Sequence, residues 1–345
     1  MKKESKTMQA SFFCLCMSPA LDASVTLPAW PSDGVIFKDV AETENVGGKG
    51  INVARWLALR GAVVSCGGLL GADNAAPFEQ ELARCGIGDA FMRVPGATRR
   101  NEMIVTPGGS FKLNRPAFPG LPPDFDALAV IKDLKNSEGS KDFKDLKDLN
   151  DLKDPNSVPR VAILSGSLPP AVPKDFYAAA TRALKARGWI VVLDASGEAL
   201  RLGVEAGPDL IKPNADECEP LVGFVPKTPA EFCRATETLR AKAAHVIISD
   251  GGAGAWFDGE FVAAPKVEVL DTTSAGDTLL AEYCWRMFAD AQERVPPVSA
   301  EQGGSRSRAT DAAKWAVAAG SAAVTMPGSV PPPAELVERL ANETK

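Results

Sequence analysis

Short apolar runs alternate with amphipathic stretches along most of this 345-residue chain, and that alternation predicts its elements. Residues 11–17 are almost continuously apolar and stop at Ser18-Pro-Ala-Leu-Asp22, which predicts a buried first strand. Val25, Leu27, Val35, Phe37 and Val40 follow among proline and polar residues and predict short strands outside the main layer. Residues 51–60 carry apolar side chains at helical spacing, with Gly61 where a helix would stop. A strand over 63–70, a helix over 75–85 ended by Gly86, and short strands between Val94 and Phe118 come next. From Val161 the rhythm is regular: strand 161–164, helix 175–187, strands 190–193 and 210–211, helix 229–242, strand 246–249. A glycine-rich turn, Gly251-Gly-Ala-Gly254, follows. Val267 and Val269 alternate with Lys266 and Glu268 and predict the end of a half-buried strand, while Leu280, Cys284 and Met287 recur at helical spacing. Residues 293–308 predict a loop, and 312–325 a buried, alanine-rich helix. Repeated strand–helix units imply an α/β fold, its mainly parallel sheet covered on both faces by helices.

Residues 132–156 break this rhythm. From Lys141 the chain runs KDF-KDL-KDL-NDL-KDP, and a period of three fits neither a strand nor one face of a helix. The available i,i+4 pairs place Lys before Asp, the weaker order. A low-complexity surface insertion without catalytic residues is expected.

Composition narrows the chemistry mainly by exclusion. With 38 Lys and Arg against 44 Asp and Glu, the net charge is -6, which argues against a nucleic-acid-binding surface. The seven cysteines are scattered without paired CxxC units, so neither a zinc site nor a disulfide framework is expected, and reduced thiols suit a cytoplasmic protein. Lys2, Lys3 and the apolar run to Met17 superficially resemble a signal peptide, but Pro19 and Asp22 follow too closely. No stretch is long enough to cross a membrane. A single histidine, His245, precedes Val246-Ile-Ile248 and is expected to start a strand, leaving acid–base chemistry to carboxylates.

In parallel sheets ligands bind beyond the carboxyl ends of the strands. Several polar groups are expected there: Asp22, Ser165-Gly-Ser167, Lys212-Pro-Asn214, Ser249-Asp-Gly251 and Asp271-Thr-Thr-Ser-Ala-Gly-Asp277. The last joins a strand-like segment to a helix N-terminus, whose free amides and dipole favour an anion. Asp277 there is either a simple N-cap or a carboxylate placed beside that anion. Gly47-Gly-Lys-Gly50 is either a ligand cradle or a tight turn; with Thr43 five residues before Gly48 and Ile51 after Gly50, it is not a Walker A loop. Arg99 and Arg100 are either a phosphate clamp or solvated cations. Asn214 and Glu217 either order a hydrated magnesium or cap a helix.

Taken in order, these motifs resemble those of the phosphofructokinase B family of sugar kinases, which has a ribokinase-like fold. Gly47-Gly-Lys-Gly-Ile-Asn-Val-Ala-Arg55 is similar to the family's first signature and Asp271 to Asp277 to its second, D-T-x-G-A-G-D. Ser18-Pro-Ala-Leu-Asp22, Thr98-Arg-Arg-Asn101, Leu164-Ser-Gly-Ser-Leu-Pro-Pro170, Asp194-Ala-Ser-Gly-Glu-Ala-Leu200, Lys212-Pro-Asn214 and Ser249-Asp-Gly-Gly-Ala-Gly254 follow the branch acting on phosphorylated ketohexoses. The resemblance spans roughly residues 11–330, apart from the Lys/Asp insertion. It implies a three-layer α/β/α kinase domain over 8–345, with a small β lid from strands near 23–45 and 93–115 that pairs two copies into a homodimer. It also implies that Asp22, Gly47, Gly48, Lys49, Asn52 and Ser167 hold the sugar and that Arg99 grips its phosphate. Lys212, Asn214, Glu217, Ser249, Gly251 and Gly254 would hold ATP and Mg2+, Glu217 through water. Asp277 would act as the base, with the amides of Ser274, Ala275, Gly276 and Asp277 around the moving phosphoryl group. The implied activity is ATP-dependent phosphorylation of fructose 1-phosphate to fructose 1,6-bisphosphate. Tagatose-6-phosphate or fructose-6-phosphate kinase activity is the neighbouring alternative, and a non-catalytic sugar-phosphate-binding regulator the alternative of another class. Three positions depart from the pattern: Ser274 for Gly, Ser18 for Asn and Asp250 for Leu. If position 274 needs a positive φ, Ser is strained there; if not, its hydroxyl adds a donor.

Overall fold

A computed structural model describes residues 10–31, 36–38, 40–122, 124–132, 134, 159–289 and 303–344, with the side chains of 303–307 set aside. Most of the triplet insertion, 135–156, and the first part of the expected loop, 293–302, lie outside the described residues. In chain order the strands are β1 (Ser11–Cys16), β2 (Ala20–Thr26), β3 (Ala41–Gly47), β4 (Val63–Gly71), β5 (Gly88–Val94), β6 (Arg100–Thr106) and β7 (Gly109–Leu113). They continue with β8 (Arg160–Ser165), β9 (Ile190–Asp194), β10 (Leu210–Ile211), β11 (His245–Ser249), β12 (Gly254–Phe257) and β13 (Glu260–Ala263). The α-helices begin with α1 (Lys49–Leu59), α2 (Ala76–Arg84), α3 (Ala129–Lys132), α4 (Phe176–Lys185) and α5 (Gly197–Val204). They end with α6 (Glu219–Val222), α7 (Pro229–Arg240), α8 (Ala275–Phe288), α9 (Gly303–Ala323) and α10 (Ala334–Glu343).

Nine strands form one sheet in the order β13-β12-β11-β10-β9-β8-β1-β4-β5, parallel except for the antiparallel pairs β11–β12 and β12–β13. All six residues of β1 are buried, as the unbroken apolar run requires of a central strand covered on both faces. Its side chains alternate: Phe12, Cys14 and Cys16 join a core with α1, α2, α8, α9 and α10, whereas Phe13 and Leu15 join another with α3, α4, α5 and α7. The sheet therefore lies between two helical layers. From β1 the chain grows outward through β4 and β5, then returns to β8 and grows the other way, so β1 and β8 flank a topological switch point. A second sheet, β3-β2-β6-β7, comes from the two regions of short strands. No helix of the described residues is long and apolar enough to cross a membrane.

Three local expectations are corrected. Val267 and Val269 belong to no strand: β13 ends the sheet, Val269 is 59% exposed, and Leu270 and Asp271 instead donate their amides to the Val324 carbonyl. The alternation there has no neighbouring strand to pair with. The loop expected through residue 308 already turns helical at Gly303, where α9 begins, and that helix ends at Ala323. Asp277 is not an N-cap; Ser274 occupies that position and Asp277 is the third helical residue. Elements that the periodicity left unassigned are β5, α3, α5, α6, α10 and the β12–β13 hairpin.

The two helices that reach the switch point, α1 and α8, are locked together by a fully buried carboxylate. Glu282 accepts from Trp56 Nε1 at 2.8 Å, Arg60 Nη2 at 2.7 Å and Arg286 Nε at 2.8 Å. The Arg60 guanidinium also lies 4.5 Å over the Trp285 ring and that of Arg286 3.7 Å over Trp315. Removing one member of a buried charge network leaves the others uncompensated. Glu282→Ala is expected to lose about 3–5 kcal/mol of stability, measured by urea unfolding.

Candidate active site

The carboxyl ends of the parallel strands meet the N-termini of α1 and α8 in one cleft. The chain leaving β1 turns into β2, whose Asp22 accepts from Asn101 Nδ2 of β6 at 2.9 Å. A Cβ on Gly47 would overlap the Asp22 carboxylate, and one on Gly48 (φ +127°) would fall 2.7 Å from Cys16 Sγ. Close approach, as well as turning, demands these glycines. Gly48 also begins α1 without any capping side chain. Burial raises the Asp22 pKa, an effect that Asn101 and the Arg99 charge oppose.

Lys49 and Asn52, one turn apart on α1, reach two different carboxylates. Lys49 Nζ donates to both oxygens of Asp194, Oδ1 at 3.2 Å and Oδ2 at 3.3 Å, and Lys212 Nζ lies 3.3 Å from the same Oδ1. Asp194 closes β9 and is wholly buried. Burial pushes its carboxyl up, but Lys212 and Lys49 together hold it below the ordinary range. Burial pushes Lys49 down, and Asp194 and Asp277 more than reverse this, so its ammonium stays charged. Gly166 takes a positive φ of +95° beside the Lys49 chain, a conformation that favours glycine, although a Cβ there would make only ordinary contact, 3.6 Å, with that of Lys49. Ser167 beside it is exposed.

Asn52 Nδ2 donates to Asp277 Oδ2 at 2.8 Å. Its amide orientation is set by Arg55, which donates to Asn52 Oδ1 at 3.3 Å and is held by Glu81 at 2.7 Å. Asp277 is 5% exposed. Desolvation raises its pKa, with Asp194 adding to the rise and Lys49, Asn52 and Lys212 opposing it. The result is a buried carboxylate more basic than an ordinary aspartate, as general-base work requires. Ser274 adopts the left-handed region (φ 64°, ψ 0°), a strained conformation for a serine at the position where the family pattern has glycine. The amides of Ala275 and Gly276 find no acceptor among the described residues. A Cβ on Gly276 would sit 3.3 Å from Lys212 Nζ, so this helix end and the lysine face the same space.

Arg99 donates to the carbonyls of Ser18 at 3.1 Å, Pro19 at 3.4 Å and Arg115 at 2.8 Å, which leaves two of its five N–H groups without an acceptor among the described residues. Arg100 points elsewhere, into ion pairs with Glu42, Glu44 and Glu102. Beyond β10, Asn214 bridges to Ser249 and exchanges reciprocal bonds with Glu217: Glu217 N donates to Asn214 Oδ1 at 2.8 Å and Asn214 N to Glu217 Oε2 at 2.9 Å. That is a capping geometry. It leaves one carboxylate oxygen of Glu217 free to order water around a hydrated cation. No cluster of three metal-ligating side chains occurs among the described residues, so a magnesium ion here would keep most of its water. Gly251 (φ +52°) turns the chain after β11, whereas a Cβ on Gly254 would overlap the Val262 carbonyl and part β12 from β13.

Asp194 is the residue at the centre of this site to which the sequence assigns no role. Its signal is a carboxylate directly after the apolar run 190–193, at the carboxyl end of a parallel strand. Its meaning depends on Lys49, 145 residues away.

Residues 28–110 and 134–335 match the profile of the pfkB family carbohydrate kinases. A protein of Rhodobacter capsulatus named 1-phosphofructokinase is 34% identical over 272 residues, covering 77% of this chain and 80% of that one. The Vibrio cholerae protein of the same name is 32% identical over 245 residues, covering 69% and 71%. Among solved structures, phosphofructokinase-2 of Escherichia coli in complex with potassium superimposes with a TM-score of 0.75 at 23% identity, covering 97% and 99% of the two chains. Ribokinase of Giardia lamblia does so with 0.69 at 18%, covering 96% and 99%. The chain belongs to the pfkB family of carbohydrate kinases, with a ribokinase-like fold, and is an ATP-dependent sugar kinase.

Proposed function

We propose that this kinase phosphorylates fructose 1-phosphate to fructose 1,6-bisphosphate. The observation that carries the mechanism is Asp277, a buried carboxylate fixed by Asn52 at the N-terminal turn of α8, beside unspent amides and Lys212. Asp277 takes the proton of the attacking sugar hydroxyl as its oxygen bonds to the γ-phosphorus and the bond to ADP breaks. Phosphoryl transfer through a loose transition state asks for alignment and charge neutralisation, and no histidine is needed. The amides at 274–277 and Lys212 neutralise the transferring group. Asp22, Gly47, Gly48, Lys49 and Ser167 hold the sugar. A magnesium ion, ordered through water by Asn214 and Glu217, would supply further positive charge to the nucleotide phosphates. Ser249, Gly251 and Gly254 complete the nucleotide side.

The choice of a sugar that is already phosphorylated rests on Arg99, half-buried at the junction of the two sheets with two N–H groups unpaired among the described residues, and on the relatives named 1-phosphofructokinase. We further propose that residues 8–345 form one cytoplasmic kinase domain and that the small sheet is its lid. An outward face bearing Phe111 and Leu113, with Trp30 against Phe111 at 5.6 Å, would pair two copies.

With fructose 1-phosphate, fructose 6-phosphate and tagatose 6-phosphate each offered alongside ATP and magnesium, the highest kcat/KM is expected for the first; preference for another would reassign the substrate. Arg99→Ala should raise KM for the sugar phosphate by about tenfold or more while leaving KM for unphosphorylated fructose unchanged. An equal rise for both sugars would remove Arg99 from phosphate recognition. Asp277→Asn should lower kcat on the order of 10²-fold or more. The folded-state pKa of Asp277 is raised, so its ionised form costs stability as pH rises through that pKa. The same variant should therefore melt at a higher temperature than wild type near neutral pH. Activity should fall on acidification at a pH above the ordinary aspartate value, because only the ionised carboxylate accepts the proton.

A further inference from the structure

One side chain of the small sheet reaches the loop before α8. In β6–β7 Met103 pairs with Lys112, and in β2–β6 Ser24 pairs with Met103 and Asp22 with Asn101. Side chains alternate along each strand, so Lys112 shares the sheet face of Asp22 and Asn101, the face turned to the cleft. From there its Nζ donates to Thr273 Oγ1 at 2.9 Å, across 161 residues of sequence. The Thr273 hydroxyl donates in turn to Asp271 Oδ1 at 2.6 Å, and the same oxygen accepts the Thr273 amide at 2.8 Å. The other oxygen of Asp271 accepts from the Gly328 amide at 3.1 Å. The next residue is Ser274, in its left-handed conformation.

We propose that Lys112 is a positioning residue that couples the seating of the small sheet over the cleft to the shape of the phosphoryl-binding loop, through the relay Lys112–Thr273–Asp271. A hydroxyl that accepts from an ammonium becomes a stronger donor to a carboxylate, so the two bonds reinforce each other. The conformation they hold is one that a serine adopts only under strain, so contacts around it must keep it. Lys112 is placed to do this only when the sheet carrying Asp22 lies against the core. Its charge also bears on both carboxylates, opposing the rise that burial causes at Asp22 and helping to lower the pKa of Asp271. The sheet that helps hold the sugar is thereby the sheet that steadies the anion site, and one cannot be displaced without loosening the other.

The inference rests on the site described under the proposed function, and the test separates the two. Steady-state kinetics would compare full-length wild type with Lys112→Met, Lys112→Arg, Thr273→Val, the Lys112→Met/Thr273→Val double variant and Asp277→Asn. Lys112→Met is expected to lower kcat about tenfold with KM for ATP and melting temperature unchanged, and Lys112→Arg to recover most of the loss. The double variant should fall no further than Thr273→Val alone, because both changes break one relay. Multiplying losses, or a wild-type kcat in Lys112→Met, would overturn the relay. If Asp277→Asn is fully active the site assignment itself fails. If it is inactive while the Lys112 and Thr273 changes act independently, only the relay fails.

Discussion

A carboxylate with no exposure, Asp194, sits between the ammonium groups of Lys49 and Lys212, and the cleft depends on that arrangement. A lone ion in such a place would be neutralised by a shifted pKa, and a lone lysine would tend to lose its proton. Together the three groups keep one net positive charge at the sheet edge, close to Asp277. That charge keeps the base from being driven too far from ionisation, since Lys49 opposes the rise that burial causes. The same ion pairs fix both lysines, Lys49 from α1 and Lys212 near Gly276 in the first turn of α8.

The scaffold explains why these groups can be brought together from distant parts of the chain. Parallel strands all deliver their carboxyl ends to one side, and the reversal of strand order between β1 and β8 opens a crevice there. α1 and α8 enter it from one helical layer, and Glu282 fixes their relative position one to two turns behind the site. The bond between Asn52 and Asp277, only 2.8 Å long, spans 225 residues and would not survive a sliding of one helix along the other.

Much of this was legible in the residues. The apolar run of β1, the helical spacing of α1, α2, α4 and α7, and the glycines that stop the first two describe the alternating architecture. The polar clusters at strand ends locate the cleft. Val267 and Val269 misled because alternation records a two-faced segment without recording whether another strand lies beside it. Asp277 looked equally like a cap, since only the positive φ of Ser274 and the reach of Asn52 distinguish the two. The roles of Asp194, which stands in one of the family-like motifs, and of Lys112 were illegible for a different reason. Each is an ordinary charged residue whose partner stands 145 or 161 positions away, and no local pattern encodes such a meeting.

The connection between α3 and β8 has its own significance. It rejoins the sheet at Arg160, the amino end of β8, whereas Ser165 to Ser167 face the cleft from the carboxyl end about 17 Å further along. Changes of length there enter the molecule on the side remote from the chemistry. The family profile breaks before this connection, between residues 110 and 134, and its match runs on from 134 through it. The segment that looks most foreign in the chain is thus anchored at the end of the sheet opposite the site, and it marks a suitable position for an affinity handle or a fluorescent reporter in a working enzyme.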